Sequence, residues 1–156
     1  MDDLLVTGSN EKLIKVFKEQ MMATFEMTDL GEMAFFLGME IQQSKNEFFI
    51  GQEKYAKEVL RKFKMEECKP VDTPLAQNEK LCPEGAEMVD EGFYQSLIGC
   101  LVYLTTIRPD IMHYVSLLSR FMHYAKKVFP IAAKRVLRYL KGKLDLGVKY
   151  IKKKMS

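Results

Sequence analysis

Between Gly92 and Ile107 the chain runs for sixteen residues without a charged side chain. Apolar residues surround most of a helix drawn over Phe93–Thr106, so that helix can present no broad side to water and must be enclosed by other elements. A membrane is not the enclosure the sequence points to. The run falls short of the ~18 apolar residues a span needs and contains Gln95, Ser96 and two threonines. Arg108-Pro109-Asp110 ends it, because proline removes a donor and restricts its predecessor. Asp110 is placed to cap a second helix reaching about Tyr124. Pro130 fits the first position of a third, with Gly142 just beyond its end. Leu144–Ile151 reads as a strand, and Lys152-Lys153-Lys154 as a frayed tail.

The first part of the chain has a different texture. Leu4, Leu5 and Val6 form a short apolar run stopped by Gly8, as in a buried strand. Ser9 and Asn10 offer capping oxygens, and Leu13, Phe17 and Met21 recur every four residues, predicting an amphipathic helix to about Phe25. Asp29-Leu30-Gly31 breaks it. Phe35–Gln42 and Glu47–Gly51 are β-type runs around a Ser44-Lys45-Asn46 turn, a hairpin with Gly38 inside its first strand at a bulge or close approach. A helix follows from Glu53 to about Met65, with Tyr55, Val59 and Phe63 on one stripe. Residues 67–92 carry Pro70, Pro74, Pro83, Gly85 and Gly92 in an acidic stretch without periodicity, read as a connector between two lobes and as the most mobile internal segment. The class is α+β: short N-terminal strand, helix and hairpin, then a mainly helical lobe.

Net charge is only +3, but the average hides a split. Residues 1–107 hold 11 Lys and Arg against 19 Asp and Glu; residues 108–156 hold 13 against 2. Such asymmetry fits a basic part that meets a polyanion, or a solvated basic surface offset by the acidic part. No basic region followed by an apolar run opens the chain, so the expected address is intracellular, cytoplasmic or nuclear, with no membrane partner. Cys68, Cys82 and Cys100 share no metal spacing with His113 and His123 and are expected to be inert thiols.

Two constellations could carry chemistry. Asp2-Asp3 places adjacent carboxylates at the head of the apolar run. From a regular strand they point to opposite faces, but in a tight turn both can approach a Mg²⁺. Two acids alone make an incomplete site, and a solvated acidic terminus is the alternative. Lys134, Arg138 and Lys141 sit at i, i+4 and i+7 on the last helix, with Arg135 beside them. That face suits a phosphate backbone, read without regard to base sequence. An ordinary solvated face near a helix C-terminus is the alternative. No nucleophile elbow, phosphate-binding loop or dinucleotide fingerprint is present.

Taken in order, short segments of the chain resemble the polymerase region of copia-type retrotransposon polyproteins. Asp2-Asp3-Leu4-Leu5-Val6-Thr7-Gly8 is similar to the second half of that family's Tyr-Xaa-Asp-Asp motif and the strand leaving it, with Met1 at the Xaa position. Phe25–Gly31, Phe35–Ile41, Gln52–Tyr55, Val71–Pro74, Tyr94–Gly99, Arg108–Ile111 and Arg135–Gly142 continue the series. Each segment alone is weak; the ordered set is specific and reaches almost the whole chain.

The resemblance implies a fragment of an RNA-directed DNA polymerase. Residues 1–66 would be the end of the palm and the start of the thumb, 67–92 a connector, and 93–156 a thumb or connection lobe stopping before ribonuclease H. Phe36, Leu37, Gly38 and Met39 would lie in the hairpin that grips the primer strand. Lys134, Arg135, Arg138 and Lys141 would meet the template-primer. Asp2 and Asp3 would be remnants of the Mg²⁺ site, whose further aspartate lies in an earlier palm segment of the family. The fragment alone is therefore expected to be inactive and to hold no metal, with other polyprotein segments as partners. A non-catalytic nucleic-acid-binding module derived from a retrotransposon is the alternative.

Overall fold

A computed structural model of the chain describes residues 4–75, 87–124 and 126–151. The chain divides into two compact units, Met1–Met33 and Ala34–Ser156.

The first unit is built on helix α1 (Glu11–Thr24). Asn10 stands before it in extended conformation, and its side-chain oxygen accepts from the backbone N–H groups of Lys12 at 3.0 Å and Leu13 at 3.3 Å. Two of the otherwise orphaned first-turn donors are thereby satisfied. The break at Asp29-Leu30-Gly31 falls as expected: Asp29 accepts from the Gly31 N–H and pairs with Lys18 at 2.9 Å, and Gly31 takes a φ of 80°. No residue of α1 is buried. The apolar run Leu4–Val6 is not a strand, correcting the sequence reading. Among the described residues of this unit there is no strand to pair with it, and an unpaired run gains no ladder hydrogen bonds.

In the second unit, strands β1 (Phe35–Phe36), β2 (Met39–Gln43), β3 (Glu47–Gly51) and β4 (Gly147–Ile151) form one antiparallel sheet in that order. The β2–β3 register sets Ile41 opposite Ile50, which faces Val148 across β4. Helices α2 (Glu53–Lys62), α3 (Glu91–Leu104), α4 (Pro109–Ser119) and α5 (Val128–Lys141) build the core beside it. Helix α3 is enclosed on one side only, correcting the expectation of a fully buried helix. Tyr94, Leu97, Ile98 and Leu101 are fully buried among Val59 and Leu60 of α2, Ile111 and Val115 of α4, and Val136 and Leu137 of α5, while Phe93, Val102 and Tyr103 on its other side stay exposed. Asp90 caps α3 by accepting from the Phe93 N–H at 2.8 Å, and the Tyr94 hydroxyl donates to the Leu118 carbonyl at 2.8 Å. Segments on both sides of 67–92 thus feed one core, with Val71 and Leu75 packed against it. Residues 76–86 of that stretch lie outside the described residues, as do Cys82 and Lys152-Lys153-Lys154.

The α+β class stands, with five local differences. Gly38 is not inside a strand: Leu37 and Gly38 have φ of 47° and 73° and form the two-residue turn between β1 and β2. Positive φ at both positions matches the right-handed twist of a tight hairpin. Asp110 does not cap α4; Pro109 occupies its first position, and the Asp110 carboxylate turns to Arg108. The helix ends at Ser119 because Phe121 and Met122 donate to carbonyls three residues back, tightening the last turn. Pro130 is the third residue of α5, where its missing N–H still costs nothing, and Gly142 keeps a right-handed φ of −82°.

Candidate nucleic-acid interface

The turn at residues 36–39 is held from below. Phe36 pairs with Met39, both half-buried, while Leu37 is 68% exposed at the tip. The Tyr103 hydroxyl, near the end of α3, donates to the Leu37 carbonyl. Tyr103 in turn meets Tyr55 of α2 edge-on, with centroids 4.7 Å apart. Lys54 lies over the Phe35 ring at 5.4 Å, and its backbone N–H donates to the Glu40 carboxylate at 2.6 Å. That carboxylate supplies the start of α2 with the acceptor that Gln52, standing at the cap position, does not.

The four cations assigned on α5 divide by environment. Lys134 is exposed, its ammonium 5.5 Å from the centre of the Phe93 ring. The other three are half-buried and hold the segment 66–73 against the helix. Arg135 donates to the Thr73 hydroxyl at 3.1 Å, Arg138 to the Lys69 carbonyl at 2.8 Å, and Lys141 to the Glu66 carbonyl. The Val71 N–H returns a bond to the Arg138 carbonyl. Sequence spacing placed these side chains on one face correctly but could not show that the chain itself lies across that face. These acceptors are neutral, so they use the donors without cancelling the positive charge. Arg138→Gln should therefore lower stability by about 1.5–3 kcal/mol, the worth of hydrogen bonds from a charged group. Denaturant midpoints would measure the loss, and limited proteolysis should then cut first between 66 and 75.

Hairpin tip and α5 cations are not brought to one point. Tyr103 and Phe93, their respective contacts on α3, are ten residues apart, or about 15 Å along the helix axis. Between them, Lys62 lies 5.5 Å from the centre of the Phe63 ring, and Phe63 meets Phe93 edge-on at 5.6 Å. Sequence inspection missed Lys54, Lys62 and Tyr103. The only signal was a tyrosine in an otherwise apolar helix. Cys100 packs partly against the core, with Lys62 3.7 Å from its sulfur.

A second cluster explains Arg108-Pro109-Asp110. Arg108 is 3% exposed. Its guanidinium makes two bonds to the Asp110 carboxylate, at 2.9 and 2.7 Å, and a third to the Lys143 carbonyl at 2.7 Å. The Tyr139 hydroxyl donates to the same carboxylate at 2.9 Å. Burial pushes the Asp110 carboxyl up, but these bonds and the guanidinium charge together outweigh it and hold the group below its usual range. For Tyr139, burial and then the Asp110 carboxylate push the hydroxyl up. The cluster fastens α4 to the end of α5 and is structural.

Asp2 and Asp3 lie outside the described residues. Among the described residues no group of three or more His, Cys, Asp or Glu side chains could hold a metal ion. A Mg²⁺ takes near-octahedral oxygen ligation, and two adjacent carboxylates leave that donor set incomplete. Asp2 and Asp3 by themselves therefore supply only part of the donor set that a nucleotidyl transferase metal site needs. Among the described residues no helix is long and apolar enough to cross a membrane.

Residues 1–77 match the family described as reverse transcriptase (RNA-dependent DNA polymerase). The chain is 38% identical over 153 residues to an uncharacterised mitochondrial protein of Arabidopsis thaliana, a match covering 98% of the chain and 63% of that protein. It is 38% identical over 154 residues to the retrovirus-related Pol polyprotein from transposon TNT 1-94 of Nicotiana tabacum, covering 91% of the chain and 11% of the polyprotein. Against the Pol polyprotein from transposon RE1 of Arabidopsis thaliana the identity is 34%, with 98% and 10% covered. The chain thus spans about three-fifths of the mitochondrial relative and about a tenth of each polyprotein. No solved structure matches it. The chain is similar along almost its whole length to retrovirus-related Pol polyproteins of transposons, and its residues 1–77 match the reverse transcriptase family.

Proposed function

We propose that this chain is the nucleic-acid-holding part of a retrotransposon RNA-directed DNA polymerase and has no polymerase activity by itself. Residues 36–39 meet the primer strand, and the basic face of α5, led by the exposed Lys134, attracts the template-primer phosphates. Arg135, Arg138 and Lys141 add positive potential while fastening 66–73. The observation that carries the proposal is the Leu37–Gly38 turn. Residues that the family resemblance assigns to primer contact form a tight turn with an exposed tip, propped by α2 and α3. Asp2 and Asp3 would serve catalysis only together with carboxylates from another Pol segment. Such segments, carried by the polyprotein relatives, are the proposed partners, and cytoplasm or nucleus the proposed setting.

Fluorescence anisotropy with a labelled template-primer duplex tests the binding claim. The affinity should fall steeply with salt, because phosphate neutralisation releases counterions. Lys134→Gln should reduce the log–log salt slope by about one. Absence of binding at low salt, or a slope that Lys134→Gln leaves unchanged, would contradict this assignment.

A further inference from the structure

We propose that Tyr103 is the positioning residue of the hairpin turn, pinning the peptide between Leu37 and Gly38 in one orientation. The inference rests on the reading that this turn meets the primer. The Leu37 carbonyl belongs to the central peptide of a two-residue turn, a group that the strand ladder leaves without a partner. In this chain it accepts from the Tyr103 hydroxyl. Glycine tolerates both signs of φ, so Gly38 by itself would let that peptide flip between two turn types. The hydroxyl bond selects the orientation with φ of 47° at Leu37 and 73° at Gly38. Leucine at positive φ is unfavourable and persists only when its surroundings over-determine it.

Gly38, at positive φ, leaves this prop the room directly beneath the turn. A Cβ added to Gly38 would stand 2.7 Å from the Tyr103 hydroxyl oxygen and 3.5 Å from two ring carbons. The Tyr103 ring rests on Tyr55 of α2 through the edge contact. Both α2 and α3 therefore set the height and tilt of the turn. A shift of these helices would carry the Leu37 tip with it.

The test uses the 156-residue chain, a template-primer duplex with 4-thiothymidine at the primer terminus, and three proteins: native, Tyr103→Phe and Tyr55→Phe. Tyr103→Phe keeps the ring and removes only the bond to Leu37. It should shift the Leu37 carbonyl and Gly38 amide resonances and cut photo-crosslinking to residues 36–39 about fivefold, the scale of one net hydrogen bond. The melting temperature should stay within a few degrees of native. Tyr55→Phe keeps the edge contact and should crosslink like the native chain. Equal crosslinking by the native and Tyr103→Phe chains would overturn the inference and leave the hairpin reading intact. Equal losses in both variants would overturn it as a general packing effect. A native chain that binds the duplex but crosslinks nowhere within 36–39 would refute the hairpin reading, and the inference with it.

Discussion

Arg108→Met should destabilise the chain by about 2–3 kcal/mol, less than the usual cost of removing one partner from a fully buried ion pair, because the Asp110 carboxylate left behind keeps 29% of its side chain in water. Methionine fills the volume, but it leaves the Asp110 carboxylate facing the Tyr139 hydroxyl with no cation, and the Lys143 carbonyl without its donor. Chemical denaturation at neutral pH measures the loss. The pH dependence has a definite sign. In the folded chain the Asp110 carboxyl lies below its usual range, so the pair contributes fully above the unfolded carboxylate value near 4. That contribution fades as pH falls through the folded value. The difference between native and Arg108→Met chains should therefore be constant from pH 5 to 8 and shrink below about pH 4. A loss below about 1 kcal/mol at neutral pH would show that the pair is only a surface contact.

Gly147→Ala should cost about 1–3 kcal/mol or more, the range for overpacking a filled site. Gly147 opens β4 opposite Gly51, and an added methyl would run into the Ile50 carbonyl oxygen and the Phe49 ring. The oxygen is backbone and cannot rotate away, so the β3–β4 pairing must shift. Hydrogen exchange should show faster exchange along 147–151 and along β3, with the α3–α5 core less affected. Native-like protection of both strands would contradict the pairing of Gly147 with Gly51.

Local features were legible because their causes are local. Asn10 capped its helix, Asp29-Leu30-Gly31 ended it, and the uncharged run from Gly92 formed a helix that buries Tyr94, Leu97, Ile98, Leu101 and Leu104, although Phe93, Val102 and Tyr103 remain exposed. Misreadings arose where the deciding partner is distant in sequence. Leu4–Val6 has the composition of a strand, but a strand exists only through its neighbours. Gly38 signalled a close approach; Tyr103, sixty-five residues later, makes that approach, and positive φ at Leu37 turns the strand into a hairpin tip. Pairing of β4 with β3 could not be read from either segment alone. At the candidate interface, helical periodicity put Lys134, Arg138 and Lys141 on one side of α5. It could not distinguish a free cation from one already bonded to a backbone carbonyl about seventy residues earlier.

The central claim separates holding nucleic acid from acting on it, and one measurement addresses both halves. A preparation of residues 1–156 shown by anisotropy to bind an RNA–DNA template-primer should be supplied with deoxynucleotides and Mg²⁺ or Mn²⁺. Two carboxylates cannot by themselves stabilise both the attacking and the leaving oxygens, which in two-metal transfer requires a full ligand set. The predicted result is bound duplex with no primer extension above a protein-free control. Extension by this chain alone that disappears when Asp2 and Asp3 are changed to Asn would contradict the account.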